Sequence, residues 1–208
     1  MHTPTVFVVD DDRAVLDSIA RLLATENFVT ECFPSAEAFC QRLKESPCVG
    51  CLVLDLRMPG MTGCQLLERL AQEGLSIPTV VITGHAEIEA VVQTMRLGAI
   101  DFLQKPFPPA RLLETVRQAL NLAVTQSAAK AEQRDVQQRL NALSADEQLV
   151  LWGIARGLTN QQIADEMDVS LRTVQLRRSS LFKTLNLQSR PEIVALVQSS
   201  GWTPTAPL

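Results

Sequence analysis

The sequence predicts an α/β protein: a doubly wound, five-stranded parallel sheet of order 2-1-3-4-5, followed by a smaller all-α helix-turn-helix domain. Three observations carry this. Residues 1–120 alternate short β-branched runs with amphipathic stretches of helical period, the pattern of βαβ units. The runs Val6–Val9 and Cys51–Leu54 are continuously apolar, as strands buried on both faces are. Beyond residue 142 strand signals cease and helix-capping signals follow one another.

The strands expected are Thr5–Val9, Val29–Phe33, Cys51–Leu54, Thr79–Ile82 and Ile100–Gln104. Helices are expected over Arg13–Thr25, where Ile19, Leu22 and Leu23 share one face, and over Ser35–Glu45, Gly63–Glu73 and Ala86–Leu97. A fifth begins at Pro109, and neither Gly nor Pro occurs from Ala110 to Trp152, so it can run on through a stretch rich in Ala, Gln, Glu, Lys and Arg. Residues 125–135 hold no large apolar side chain, which predicts a helical or partly frayed connector with no core of its own.

In the C-terminal part, Ser144 and Glu147 fit a capping box, and Thr159 with Gln162 repeats the logic. Ser170 caps a third helix and Pro191 opens a fourth at its first position. Only Asp168 and Val169 separate the helix ending at Met167 from the Ser170 cap, a turn tight enough for a helix-turn-helix. The expected division is a domain over 1–122, a helical linker over 123–142 and a helix-turn-helix domain over 143–208.

The net charge of −4 is unevenly spread. Residues 1–122 carry −5 and residues 143–208 are neutral, yet 170–190 hold Arg172, Arg177, Arg178, Lys183 and Arg190 with no acid. A local +5 in an acidic chain points to a face for a polyanion. No apolar run approaches the ~18 residues a membrane span needs, and no basic-then-apolar leader opens the chain, so the cytoplasm is the expected location. Cys48 and Cys51 form a CxxC, but with no second pair and no nearby His the five cysteines read as ordinary reduced thiols.

Chemistry concentrates at strand ends. Asp10 and Asp11 follow the first strand, Asp55 the third, Thr83 closes the fourth and Lys105 the fifth. In an open parallel sheet these ends line one crevice. Carboxylates there suit a hard cation such as Mg²⁺, which takes one or two of them with waters and a phosphate oxygen. A cation would also relieve their mutual repulsion and leave Asp55 anionic, able to attack phosphorus and form an acyl phosphate. Thr83 and Lys105 are placed to bind the transferred group's equatorial oxygens.

The segments VVDDD, LDLRMPGMTG, VITGH and DFLQKPF strongly resemble those of bacterial response-regulator receiver domains over roughly the first 120 residues. The resemblance implies that Asp55 accepts a phosphoryl group from a partner histidine kinase. It implies Asp11 and Asp55 as direct Mg²⁺ ligands, Asp10 acting through water, and the Arg57 backbone carbonyl as a further ligand. It makes Thr83 and Lys105 the phosphate sensors, Lys105–Pro106 a cis peptide and Phe102 the switch aromatic. Arg57 and His85, two residues beyond Asp55 and Thr83, stand where receivers tune acyl-phosphate hydrolysis; His85 reads equally as a bystander on a loop.

The helix after Ser170 places Val174, Leu181, Phe182 and Leu185 on one side and Arg172, Leu176, Ser179, Ser180 and Lys183 on the other, with Gln175 on the flank. Such a face can enter a major groove, where Gln reads adenine and an apolar side chain meets the thymine methyl. Arg178 lies near the core seam, where it snorkels rather than meets a base. Residues 143–186 resemble the LuxR-type helix-turn-helix, and with the receiver the whole chain resembles the NarL/FixJ family, leaning to the FixJ side in its TGH and RMPGM variants. The resemblance aligns base contacts with Gln175, Leu176 and Ser179; Thr173 and Arg177 join the candidate set with Arg172 and Lys183. Arg177 stands where the family usually has His, Ser180 where Asn is common and Thr184 where Lys is usual.

The expected function is a phosphorylation-controlled regulator that binds double-stranded operator DNA, as a homodimer when phosphorylated. A regulator that ignores phosphate is an alternative. A Mg²⁺-dependent Asp-nucleophile phosphatase of the haloacid-dehalogenase kind is another, but Asp10–Asp11–Asp12–Arg13–Ala14 ends in Ala where that family wants Thr or Val.

Overall fold

The structure is a computed structural model that describes residues 3–45, 49–84 and 88–204. His85 and Cys48 lie outside the described residues. Five strands, β1 (Thr5–Val9), β2 (Val29–Phe33), β3 (Gly50–Asp55), β4 (Thr79–Thr83) and β5 (Ala99–Gln104), alternate with α1 (Arg13–Ala24), α2 (Ala36–Glu45), α3 (Gly63–Gln72) and α4 (Ile88–Arg96). Then come α5 (Pro109–Asn141), α6 (Ala145–Arg156), α7 (Asn160–Glu166), α8 (Leu171–Thr184) and α9 (Arg190–Ser200).

The strands pair in parallel in the order β2-β1-β3-β4-β5 expected from the sequence. β3 and β4 run slightly beyond their apolar cores because their ends are paired: Gly50 lies opposite Thr5, Asp55 opposite Ile82 and Thr83 opposite Gln104. Apolar periodicity marks where a strand is buried and cannot mark polar residues that the ladder also holds.

Alternation along β1 splits the core. Val6 and Val8 point to one face with Leu16 and Ile19 of α1 and Leu112 and Val116 of α5. Phe7 and Val9 point to the other, with Phe39 of α2 and Leu66 and Leu70 of α3. β3 is buried along its whole length, which explains its unbroken apolar run.

The chain divides into two compact units, residues 1–127 and 128–208. In the second, Val150, Leu151 and Ile154 of α6, Ile163 of α7, Val174 and Leu181 of α8 and Ile193 of α9 close one core. The capping boxes at Ser144 and Thr159 form with both reciprocal hydrogen bonds, and Ser170 accepts from the Thr173 N–H. The α7–α8 turn is closed by Asp168 at φ 51°, a left-handed conformation that Asp tolerates. One expectation shifts. α9 begins at Arg190, so Pro191 is its second residue; the first turn's N–H groups lack helical partners in either position. The connector over 125–135 is helical, as part of α5, and just beyond it Val136 packs against the second core and Leu140 is fully buried in it.

α6 and α7 approach closely at Gly153, where a Cβ would stand 2.7 Å from Ile163 Cγ1. Trp152 and Trp202, the chain's only tryptophans, both belong to the second unit, so their fluorescence follows its unfolding selectively. Gly153→Ala is expected to destabilise that transition by about 1–3 kcal/mol through overpacking, measured as a lowered denaturant midpoint. An unchanged midpoint would contradict this packing.

Candidate functional site

The ends of β1, β3 and β5 meet at one ammonium. Lys105 Nζ donates to Asp10 Oδ2 at 2.6 Å and to Asp55 Oδ1 at 2.8 Å. Asp10 and Asp55 are only 1% and 5% exposed, so each depends on protein partners rather than water. Asp10 Oδ1 accepts from the Asp12 N–H at 2.9 Å, and Asp55 Oδ2 accepts from the Arg57 N–H at 2.7 Å. Thr83, buried at the end of β4, gives its carbonyl to the Lys105 N–H at 2.8 Å, tying the two sensor positions through the backbone. Lys105–Pro106 is cis. Phe102 is half-buried against the core face formed with α2 and α3.

The Asp run divides its labour. Asp10 turns inward, Asp11 is exposed, and Asp12 caps α1 by accepting from the Ala14 N–H. Burial pushes the Asp10 carboxyl above its ordinary range, against the opposing hydrogen bonds from Lys105 and the Asp12 N–H. Burial also works against the Lys105 charge, but the bonds to Asp10 and Asp55 outweigh it and hold the ammonium above its usual value.

Among the described residues no three His, Cys, Asp or Glu side chains form a group able to hold a metal; the cation between Asp10 and Asp55 is Lys105 itself. The donors nonetheless suit Mg²⁺. It needs only one or two carboxylates, completes its octahedron with water, and prefers the oxygen donors that Asp10, Asp11, Asp55 and the Arg57 carbonyl provide. One ammonium against two buried carboxylates also leaves a negative excess that a divalent ion would neutralise. The CxxC reading gains nothing: Cys51 is buried in β3 with its thiol pushed up to about 12.

In the second unit, α8 turns Val174 and Leu181 into the core and exposes Arg172, Gln175, Leu176, Ser179, Ser180 and Lys183. Leu176 is 64% exposed, the highest value among the large apolar surface residues described. Thr173 is half-buried, its hydroxyl 2.8 Å from that of Ser170. Arg177 is ion-paired through Nη2 to Asp146 of α6. Arg178 donates to Asn160 Oδ1 at 2.8 Å and lies over the Phe182 ring, 5.5 Å from its centroid.

The family model described as the response regulator receiver domain matches residues 6–117, and that of the bacterial regulatory proteins of the luxR family matches residues 141–197. The transcriptional regulatory protein FixJ of Rhizobium meliloti is 37% identical over 203 residues, covering 97% of this chain and 98% of FixJ. The response regulator protein TodT of Pseudomonas putida is 35% identical, covering 93% of this chain and 85% of TodT. Among solved structures, the response regulator StyR superposes with a TM-score of 0.80 at 40% identity, covering 95% of this chain and 99% of that one. Full-length FixJ from B. japonicum gives a TM-score of 0.58 at 34% identity, covering 97% and 98%.

The chain belongs to the NarL/FixJ family of response regulators. Its receiver and LuxR-type DNA-binding domain make it a phosphorylation-controlled transcriptional regulator. Among the described residues no helix is long and apolar enough to cross a membrane.

Two parts of this response regulator's sites escaped the sequence. Glu37, in the first turn of α2, accepts from the Met61 N–H at 2.9 Å and so ties down the loop after β3 that carries Arg57. Gly60 in that loop sits at φ 78°, and a Cβ there would stand 2.9 Å from Glu37 Oε1. Backbone N–H donors, its own and that of Met61, hold the Glu37 carboxyl below the usual range. The second is the anchoring of the α8 arginines to Asp146 and Asn160. Neither contact has a local sequence signal, since each joins residues more than fifteen positions apart.

Because the Asp10 carboxyl is raised in the folded protein, its ionised form destabilises the fold at pH values above that raised value. The penalty fades as pH falls from that raised value toward the ordinary 3.8, and below 3.8 it is gone. Asp10→Asn is therefore expected to raise the receiver's melting temperature at pH 7 by roughly a few degrees, with the gain shrinking on acidification. Calorimetry across pH checks this, and an unchanged or lower melting temperature at pH 7 would count against it.

Proposed function

We propose that Asp55 is the phospho-acceptor and that its modification controls operator binding by α8. The observation that carries this reading is the Lys105 ammonium bridging buried Asp10 and Asp55 at the carboxyl edge of the sheet. A carboxylate attacking phosphorus forms an O–P bond as the bond from phosphorus to the kinase histidine nitrogen breaks, and the imidazole leaves. Before reaction, Lys105 and the Arg57 N–H hold the two Asp55 oxygens in fixed positions, so little reorganisation is needed. Asp10, Asp11, Asp55 and the Arg57 carbonyl would hold Mg²⁺, whose charge screens the incoming phosphoryl oxygens from the carboxylates.

After transfer, Lys105 and Thr83 take up the phosphoryl oxygens. Movement of Thr83 makes room for Phe102 to turn inward, and the surface around α4 and β5 then reports the modified state. Arg57 tunes the lifetime of the acyl phosphate, as does His85. The receiver domain occupies residues 1–122, the linker 123–142 and the DNA-binding domain 143–208, with the end of the linker packed against the latter's core. Dimerisation of phosphorylated receivers would pair two α8 helices on a palindromic site. At that site Gln175, Leu176 and Ser179 contact bases.

Phosphorylation with acetyl phosphate and Mg²⁺ is expected to raise operator affinity about tenfold in a gel shift, and Asp55→Asn is expected to abolish the response. Equal binding by phosphorylated protein and by Asp55→Asn would refute the reading.

A further inference from the structure

We propose that Arg177 and Arg178 are positioning residues that fix α8 on its own domain, leaving Arg172 and Lys183 as the cations of α8 that meet DNA phosphate. This rests on the reading of α8 as the DNA-contacting helix. Sequence spacing already sets Arg178 near the core seam; the structure sorts the four cations of α8 further, while Arg190 belongs to α9.

Arg172, Leu176, Ser179 and Lys183 follow one another at spacings of four, three and four, so they form one stripe along α8, and all four are exposed. Among the described residues, neither Arg172 nor Lys183 makes an ion pair. Arg177 leaves that stripe by a hundred-degree step, reaches Asp146 in the first turn of α6, and has its Nη1 buried without a partner. Its guanidinium is therefore partly closed off from solvent and already neutralised. Turning it toward a phosphate would strand the Asp146 carboxylate beside a polyanion.

Arg178 is held twice, by Asn160 at the first position of α7 and by the face of Phe182. Consecutive arginines thus clamp α8 to both helices that precede it. Base readout tolerates little displacement, because hydrogen bonds to base edges need fixed distances and angles. The clamp consequently governs discrimination between sequences, whereas the free cations govern overall attraction. Asp146 acts through Arg177: an acid beside a DNA-binding face would ordinarily oppose binding, and here it holds the reading helix in register.

The test uses full-length protein treated with acetyl phosphate and Mg²⁺. It is titrated by fluorescence anisotropy onto a duplex recovered by random-site selection and onto a scrambled duplex of equal composition, across a salt series. Arg172→Gln and Lys183→Gln should each reduce the salt slope by about 1 and leave the ratio of selected to scrambled affinity unchanged. Arg177→Met and Arg178→Met should leave the slope unchanged and lower that ratio about fivefold.

Asp146→Asn should lower the ratio as Arg177→Met does, although it removes an acid. The Asp146→Asn/Arg177→Met pair should lose no more than either single change. The swapped pair Asp146→Arg/Arg177→Asp should restore discrimination, which a general loss of folding would not allow; tryptophan-monitored melting confirms that each variant is folded. A slope reduced by about 1 in Arg177→Met with discrimination intact, or improved discrimination in Asp146→Asn, overturns the proposal. If the wild-type protein does not prefer the selected duplex, the DNA-binding reading itself fails, and this one with it.

Discussion

The receiver depends on a single ammonium placed between two buried carboxylates. Asp10 and Asp55 end adjacent strands, and without a cation between them at least one would be driven to take up a proton. Lys105 comes from β5, two strands away from β3, and reaches both across the end of β4. The strand order is therefore a condition of the chemistry: another order would not bring these three ends together. The contact also holds the central and edge strands together by charge at their carboxyl ends. Burial raises the Asp10 carboxyl even so, against the hydrogen bonds from Lys105 and the Asp12 N–H.

Around this centre the chain spends backbone donors rather than side chains. The N–H groups of Asp12 and Arg57 each hold one carboxylate oxygen, and those residues sit in loops whose geometry is set elsewhere. Asp12 is fixed as the cap of α1. The loop with Arg57 is held by Glu37 through Met61, with Gly60 supplying a left-handed turn that leaves room for the Glu37 carboxylate. α2 contributes no residue to the crevice itself, yet it steadies the loop that carries one. Preorganisation of this kind works because a fixed dipole need not reorient when charge moves.

What the sequence discloses is what local physics decides. Strand runs, helix caps and the tight α7–α8 turn depend on residues within a few positions of one another, and they fall close to where pattern and propensity put them. The strand-end chemistry is legible for a different reason: in a parallel sheet all carboxyl ends share one edge, so naming the strand ends names the site. What stays hidden is the choice of partner among chemically equivalent groups. Lys105 could have faced solvent, Glu37 reads as an ordinary acid in a first helical turn, and Leu140 looks like an isolated leucine in a polar helix until the second core closes over it. Each is settled by a contact between residues distant in sequence.

The same limit applies to counting charge. Five cations and no acid between residues 170 and 190 suggest a strongly basic surface, but Asp146 is folded back against this segment and neutralises one of them. Arg178 is committed to Asn160 and Phe182, so the charge presented on the exposed stripe comes from Arg172 and Lys183. Nonspecific affinity for DNA grows with the number of phosphates neutralised, and the two cations on the α8 stripe release few counterions. On the proposed reading, a single copy of this module would bind weakly and a pair on one duplex would bind well, because the second contact becomes intramolecular. A sparingly charged recognition helix is then an asset for a switch. On that reading it would keep the unpaired protein off bulk DNA and leave occupancy to be decided by whatever brings two copies together.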